Sequence, residues 1–125
     1  YVLRETSGKR DVTLLATGSE VGLAVEAAEA LAGQGIAAAV VSMPCFELFR
    51  QQPEGYRRAV LGDAPRIGIE AAVVQGWHEW LDKDDVFIGL SDFGASAPGA
   101  ALFQHFGLTP ARVVETALAL IAKRR

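Results

Sequence analysis

Cysteine is nearly missing from this chain: Cys45 is the only one in 125 residues. One thiol cannot close an internal disulfide, so a disulfide-stapled secreted scaffold is excluded and a reducing, cytoplasmic setting is expected. Histidine is almost as scarce. His78 and His105 have no close Cys or His neighbour, so the spacing of a zinc site is missing as well. No apolar run reaches the roughly 18–20 residues that span a bilayer. Arg4, Glu5, Lys9, Arg10 and Asp11 break up the start of the chain, where a signal peptide would need an apolar stretch. No membrane partner is expected. Nor is there excess basic charge. Twelve Lys and Arg stand against 15 Asp and Glu, a net charge of −3, so nucleic acid is not an expected partner either. Linkers, internal repeats and low-complexity stretches are also lacking. The length suits one domain, 1–125. The chain opens at Tyr1 rather than Met, directly in a β-type run, as expected of a domain cut from a longer chain.

What the chain does have is apolar residues, half of the total, enough to bury a core. Tyr1–Glu5 reads as a short strand and Thr6–Arg10 as a polar turn. Asp11–Ala16 is a compact apolar run of the kind buried on both faces of a sheet. Val21, Ala24, Val25, Ala28 and Leu31 recur at helical spacing, with Thr17 at the N-cap and Glu20 completing a capping box. Gly33 and Gly35 end that helix. Strand Ile36–Ser42 follows, then a helical turn at Phe46–Arg50. A helix over Pro53–Leu61 would turn Tyr56, Ala59 and Val60 to the core. Arg66–Ala72 is the next strand, Gln75–Leu81 a short helix with two tryptophans, and Val86–Gly89 the last strand. Helix Ala100–Phe106 precedes a well-marked final helix, Pro110–Lys123, with Thr109 as N-cap, Pro110 at its first position and an apolar stripe of Val113, Val114, Ala117, Leu118 and Ile121.

Strands alternate with helices from Asp11 onward, which predicts βαβ units around a mostly parallel sheet covered on both faces. The first strand is separated from the second by only a short turn. It cannot lie parallel beside it, so it belongs at an edge or runs antiparallel.

Sites of chemistry are hard to find. Gly33-Gln34-Gly35-Ile36-Ala37-Ala38 has G-x-G-x-x-A spacing, but a helix precedes it and a strand follows, the reverse of a dinucleotide fingerprint. A helix C-cap is the better reading. Thr17-Gly18-Ser19-Glu20 is a strand-to-helix turn with free N–H groups, yet Glu20 disfavours a second negative charge there. Gly94-Ala95-Ser96-Ala97-Pro98 misses the nucleophile elbow by one residue, because Pro98 stands where glycine is needed. Asp92-Phe93-Gly94 spells the kinase tripeptide without any companion motif. Cys45 reads either as a small buried hydrophobe or as a thiol at the sheet edge. Trp77 and Trp80, three residues apart, read as packing residues. Gln51, Tyr56, Arg57 and Arg58 read as a solvated helix face. No catalytic, cofactor-binding or metal-binding residue is assigned.

A series of short stretches carries more information together than any does alone. They are Ala16-Thr17-Gly18-Ser19-Glu20-Val21; Val40-Val41-Ser42-Met43-Pro44-Cys45 with Glu47-Leu48-Phe49 and Gln52; Tyr56-Arg57 with Val60-Leu61; and Gly76-Trp77. Phe93-Gly94-Ala95-Ser96-Ala97-Pro98 comes last, with Leu102-Phe103, Phe106-Gly107-Leu108-Thr109 and Val113. In this order the series resembles the C-terminal domain of the transketolase family over almost the whole chain. Phe46 after Pro-Cys and the stretch Trp77–Asp82 depart from the family pattern.

The resemblance implies a three-layer α/β/α domain on a five-stranded mixed sheet, mostly parallel, with Tyr1–Glu5 as the antiparallel strand. It implies a parent enzyme that moves a two-carbon ketol unit between sugar phosphates in the pentose phosphate pathway. Thiamine diphosphate and a divalent metal, Mg²⁺ or Ca²⁺, carry that chemistry. In the family the cofactor lies between the two preceding domains of a homodimer. The diphosphate-binding segment is missing here, since Gly62-Asp63 is followed by Ala64. This chain is therefore expected to bind no cofactor, to be inactive alone, and to pack on the preceding domains of its own polypeptide through an exposed apolar face. Two other readings stand beside it. One is a stand-alone module binding a small anion at Gly18–Ser19 and Ser91–Ser96. The other is the same domain of a dihydroxyacetone synthase.

Overall fold

Strand β2, Val12–Ala16, has all five residues buried because it is paired on both sides and covered on both faces. The structure, a computed structural model, describes residues 1–18, 20–70, 79–81, 85–89 and 109–124. Within these, β2 pairs in parallel with β3 (Ala38–Ser42), Leu14 opposite Val40, and with β4 (Arg66–Glu70), Leu14 opposite Ile67. Strand β5 (Val86–Gly89) adds in parallel to β4. Strand β1 (Val2–Arg4) runs antiparallel along β3, at the edge of a five-stranded sheet of order β1-β3-β2-β4-β5. Both halves of the expectation for the first strand hold.

Alternation along the strands divides the interior in two. Val12, Leu14 and Ala16 of β2, Ala38 and Val40 of β3, Ile67 and Ile69 of β4, and Ile88 of β5 face one way. They meet helix α1 (Glu20–Ala32) and the last helix, α4 (Pro110–Arg124). Leu15 and Val41 face the other way, towards α2 (Phe46–Arg50), α3 (Glu54–Leu61) and Trp80. The result is the three-layer α/β/α arrangement.

The helix ends bear out most of the cap readings. Ile36 N–H donates to the Leu31 carbonyl at 2.9 Å and Gly35 N–H to the Ala32 carbonyl at 3.0 Å. Those two bonds, with Gly35 at φ 79°, form a Schellman C-cap and dispose of the dinucleotide look-alike. Thr109 caps α4, its hydroxyl accepting from Arg112 N–H at 3.2 Å. The start of α1 needs correction. Gly18 lies at φ 55°, a left-handed conformation no helical residue adopts, so the helix begins at Glu20 and not just after Thr17. Thr17 takes part through its carbonyl, which accepts from Glu20 N–H at 3.1 Å. A capping box with Glu20 at its third position is not formed.

Helix α3 is phased differently from the expectation. Only Val60 and Leu61 are buried, whereas Tyr56 and Ala59 are exposed. Only the last turn of the helix is buried, and Tyr56 lies against Phe49 at the surface, their ring centres 6.3 Å apart. The expected helices Gln75–Leu81 (apart from its last residues) and Ala100–Phe106, the corner Phe93–Pro98, Trp77, His78 and His105 lie outside the described residues.

Candidate functional site

In an open parallel sheet a crevice forms where two neighbouring strands send their chains to opposite faces. Strand β2 leads to α1 on one face. Its neighbour β3 leads to α2 on the other. The crevice between them is a cavity of about 330 Å³ lined by Thr17, Met43, Pro44, Cys45, Phe46, Glu47 and Glu70. Met43 N–H donates to the Ala16 carbonyl at 2.9 Å and holds the two exits together.

The charge of this edge is negative. Glu47 and Glu70 line the cavity, and no basic side chain does so among the described residues. Glu20 is 5% exposed. Its Oε2 lies 3.9 Å from the point where a Cβ on Gly18 would sit, so the carboxylate folds back over the turn. An anion placed at Gly18 would meet that carboxylate, and the small-anion reading is not favoured there. Ser19 and Ser91–Ser96 lie outside the described residues. A diphosphate does not fit this donor set for the same reason. Among the described residues no three His, Cys, Asp or Glu side chains group as metal ligands.

Cys45 falls between its two readings. It is half-buried, in extended conformation at the N-cap of α2. It borders both the crevice and a second cavity of about 220 Å³ that includes Tyr1, Leu48, Phe49 and Tyr56. Three of these, Tyr1 (51%), Leu48 (61%) and Tyr56 (43%), are among the large apolar side chains left exposed, together with Leu3 on the edge strand. Tyr1, Leu48 and Tyr56 thus form a small exposed apolar rim around this cavity.

Arginines gather around α3, and each is engaged. Arg58 pairs with Glu54 at 2.9 Å and Arg57 Nε donates to the Gln52 carbonyl at 3.2 Å. Arg66 donates to the carbonyls of Trp80 and Gly62, both at 3.0 Å. Arg50 grips Glu79 through Nε and Nη2, one edge of its guanidinium, and lies over the Trp80 ring, 5.9 Å from its centre. The hydrogen bonds from Arg50 hold the Glu79 carboxyl below the usual carboxylate range. Of the polar cluster read as a solvated face, Gln51, Tyr56 and Arg58 are exposed and Arg57 is half-buried.

One residue the sequence reading passed over organises this corner. Arg10 donates to the Val60 carbonyl at 2.7 Å, the Thr13 hydroxyl at 3.3 Å and both oxygens of Glu5. It closes the C-terminal end of α3. Gly62, at φ 68°, leaves room for it, since a Cβ there would stand 2.8 Å from Arg10 Nη1. Gly62-Asp63 is thus a turn shaped around an arginine. Only the glycine at position 62, one residue after the helix, hinted at this in the sequence.

A mixed sheet of order β1-β3-β2-β4-β5, layered by helices on both faces, defines a three-layer α/β domain. The chain belongs to the transketolase-like C-terminal domain family, whose family model matches residues 1–109. It is 60% identical to a transketolase of Sinorhizobium medicae over 98% of its own length and 18% of that protein. Among solved structures, transketolase from Leishmania mexicana superposes with a TM-score of 0.89 at 42% identity, covering 98% of this chain and 18% of the other. A chain described as a split gene transketolase, inactive beta4 tetramer, matches with a TM-score of 0.75 at 27% identity, covering all of this chain and 43% of its own. The chain therefore spans under a fifth of the length of the curated relative above.

Proposed function

We propose that this chain, residues 1–125, is the C-terminal domain of a transketolase, and that its part in the enzyme is to pack on the preceding domains and support a homodimer. The observation that carries this reading is 60% identity to a transketolase along nearly the whole chain while covering only 18% of it. The parent enzyme transfers a two-carbon ketol unit between sugar phosphates. Thiamine diphosphate with a divalent metal supplies the stabilised carbanion for that transfer. The acidic side chains among the described lining of the crevice do not suit a diphosphate, which supports a cofactor site in the rest of the polypeptide. The split-gene relative supports the same division, since a chain containing the counterpart of this domain is described as inactive in its β4 form. The single cysteine suits a cytoplasmic enzyme.

The test is activity with added thiamine diphosphate and Mg²⁺. The full-length protein is expected to transfer ketol units from a ketose phosphate to an aldose phosphate, and the 125-residue domain to give background only. Turnover by the domain alone overturns the assignment of catalysis to other domains. Failure of the full-length protein overturns the transketolase reading itself.

A further inference from the structure

The path of β1 points to a particular occupant for the apolar groove beside it. Tyr1 and Ser42 exchange both backbone hydrogen bonds, Ser42 N–H to the Tyr1 carbonyl and the Tyr1 amine to the Ser42 carbonyl, each at 2.8 Å. Continuing the antiparallel register, a residue before Tyr1 would stand opposite Met43 and the next opposite Pro44. Met43 falls at a non-hydrogen-bonded position and turns its N–H to β2, where the Ala16 carbonyl accepts it. Pro44 has no N–H to give. The next two-bond pair of the ladder would lose one of its bonds at Pro44, which favours departure of the chain leading into Tyr1 from the sheet at this point. The place where it does so is the mouth of the 220 Å³ groove, whose lining includes Tyr1 itself.

The groove is built for apolar contact. Met43 and Phe49 form its buried floor, while Tyr1, Leu48 and Tyr56 stand exposed at its rim.

We propose that, in the full-length protein, the segment immediately N-terminal to Tyr1 leaves the sheet at Ser42 and seats an apolar side chain in the groove of Tyr1, Met43, Cys45, Leu48, Phe49 and Tyr56. The inference rests on the reading of the chain as a domain preceded by others. Segment and groove together fasten the domain to what precedes it, independently of any contact through the sheet edge.

The experiment places a photo-reactive benzoylphenylalanine at position 48, and separately at position 56, in the full-length protein, and maps the cross-linked peptides by mass spectrometry. Both side chains are exposed, so neither replacement disturbs the core. Cross-links from both positions are expected within about ten residues upstream of Tyr1, an extended reach of roughly 30 Å, in the same polypeptide. Cross-links to a second copy, to a more distant segment, or to solvent only would each overturn the proposal. Ketol transfer by the same preparations is measured in parallel. An active enzyme whose groove cross-links elsewhere defeats the docking proposal and leaves the transketolase reading standing. Cross-links in the expected place on an inactive protein do the opposite.

Discussion

The two faces of the sheet are packed by different means. On one, two long helices of 13 and 15 residues lie over aliphatic side chains. Ala24, Ala27, Ala28 and Ala117 let α1 and α4 approach closely, and no aromatic residue is found there among the described residues. On the other, the described helices have only five and eight residues. Phe46, Phe49, Phe87 and Trp80 fill the space with bulk, and arginines fasten the helix ends to carbonyls. The 220 Å³ groove and the arginine-lined clefts lie on this second face. A face closed by small residues is finished within the domain. Among the described residues, the face assembled from aromatics and arginines is the one that leaves an apolar rim exposed, at Tyr1, Leu48 and Tyr56.

If the aromatic face is a true core, removing its centre must cost as much as damaging the closed face. Trp80 is 2% exposed and stands edge-on to Phe46 and Phe49, with ring centres 5.8 and 5.1 Å apart. Trp80→Ala in the 125-residue chain is expected to cost about 3–5 kcal/mol, read from the shift in urea midpoint. A loss below about 1 kcal/mol would mean that the short helices hold without it. Leu31→Ala is the matching change on the closed face. Leu31 is fully buried where α1 ends, and the loss expected is about 2–5 kcal/mol. The close helix approach allowed by the alanines limits collapse into the cavity, so the upper half of that range is expected. A value near 1 kcal/mol would show that the closed face can relax.

The contrast between the faces also decides what could be read from the sequence. The closed face was legible, since Ala24, Ala28 and Leu31, and Val113, Ala117 and Ile121, mark long stripes in which period fixes phase. On the open face the eight residues of α3 hold little more than two turns, too few to show which side faces in. That short period points Tyr56 to the core, yet it stands exposed. The start of α1 was misplaced because the sequence Thr17–Glu20 fits a capping box whether or not Gly18 turns left-handed. The crevice between β2 and β3 follows from the order of strands and helices, so its place was foreseeable. Its acidity was foreseeable only for Glu20. Glu47 in the first turn of α2 and Glu70 at the end of β4 come from separate elements and meet there by tertiary packing. The role of Arg10 left no local signal, because its acceptors on α3 lie 49 and 50 residues away.

Arg10 is where the open face is most exposed to a single polar change. Its guanidinium serves the Val60 carbonyl at 2.7 Å and the Ala59 carbonyl at 3.4 Å, the last turn of α3. Arg10→Met keeps the buried stem and removes the donors. The Val60 carbonyl then loses its arginine donor, and the expected loss is about 1–3 kcal/mol. Hydrogen exchange should localise the damage to residues 54–61, with α1 and α4 unchanged. Uniform loosening of both faces would mean that the two are one cooperative unit rather than two differently built halves.

The smallest effect tests the outer end of the same arginine. Hydrogen bonds from Arg10, then from Thr6 N–H, hold the Glu5 carboxyl down at about 2. Because the folded value lies below the ordinary 4.5, the ion pair stabilises the fold above that pH and is lost as pH falls towards 2. Glu5 is 54% exposed, so solvent screens the pair and its contribution is expected below about 1 kcal/mol despite the large shift. Glu5→Gln should lower the urea midpoint slightly near neutral pH. The difference from the unaltered chain should close as the pH drops through the same window. Arg10→Met should keep most of its deficit there, because the bonds to Val60 and Ala59 do not titrate. If instead both variants converge on the unaltered chain in acid, Arg10 works mainly through Glu5, and the fastening of α3 by its own carbonyls is refuted.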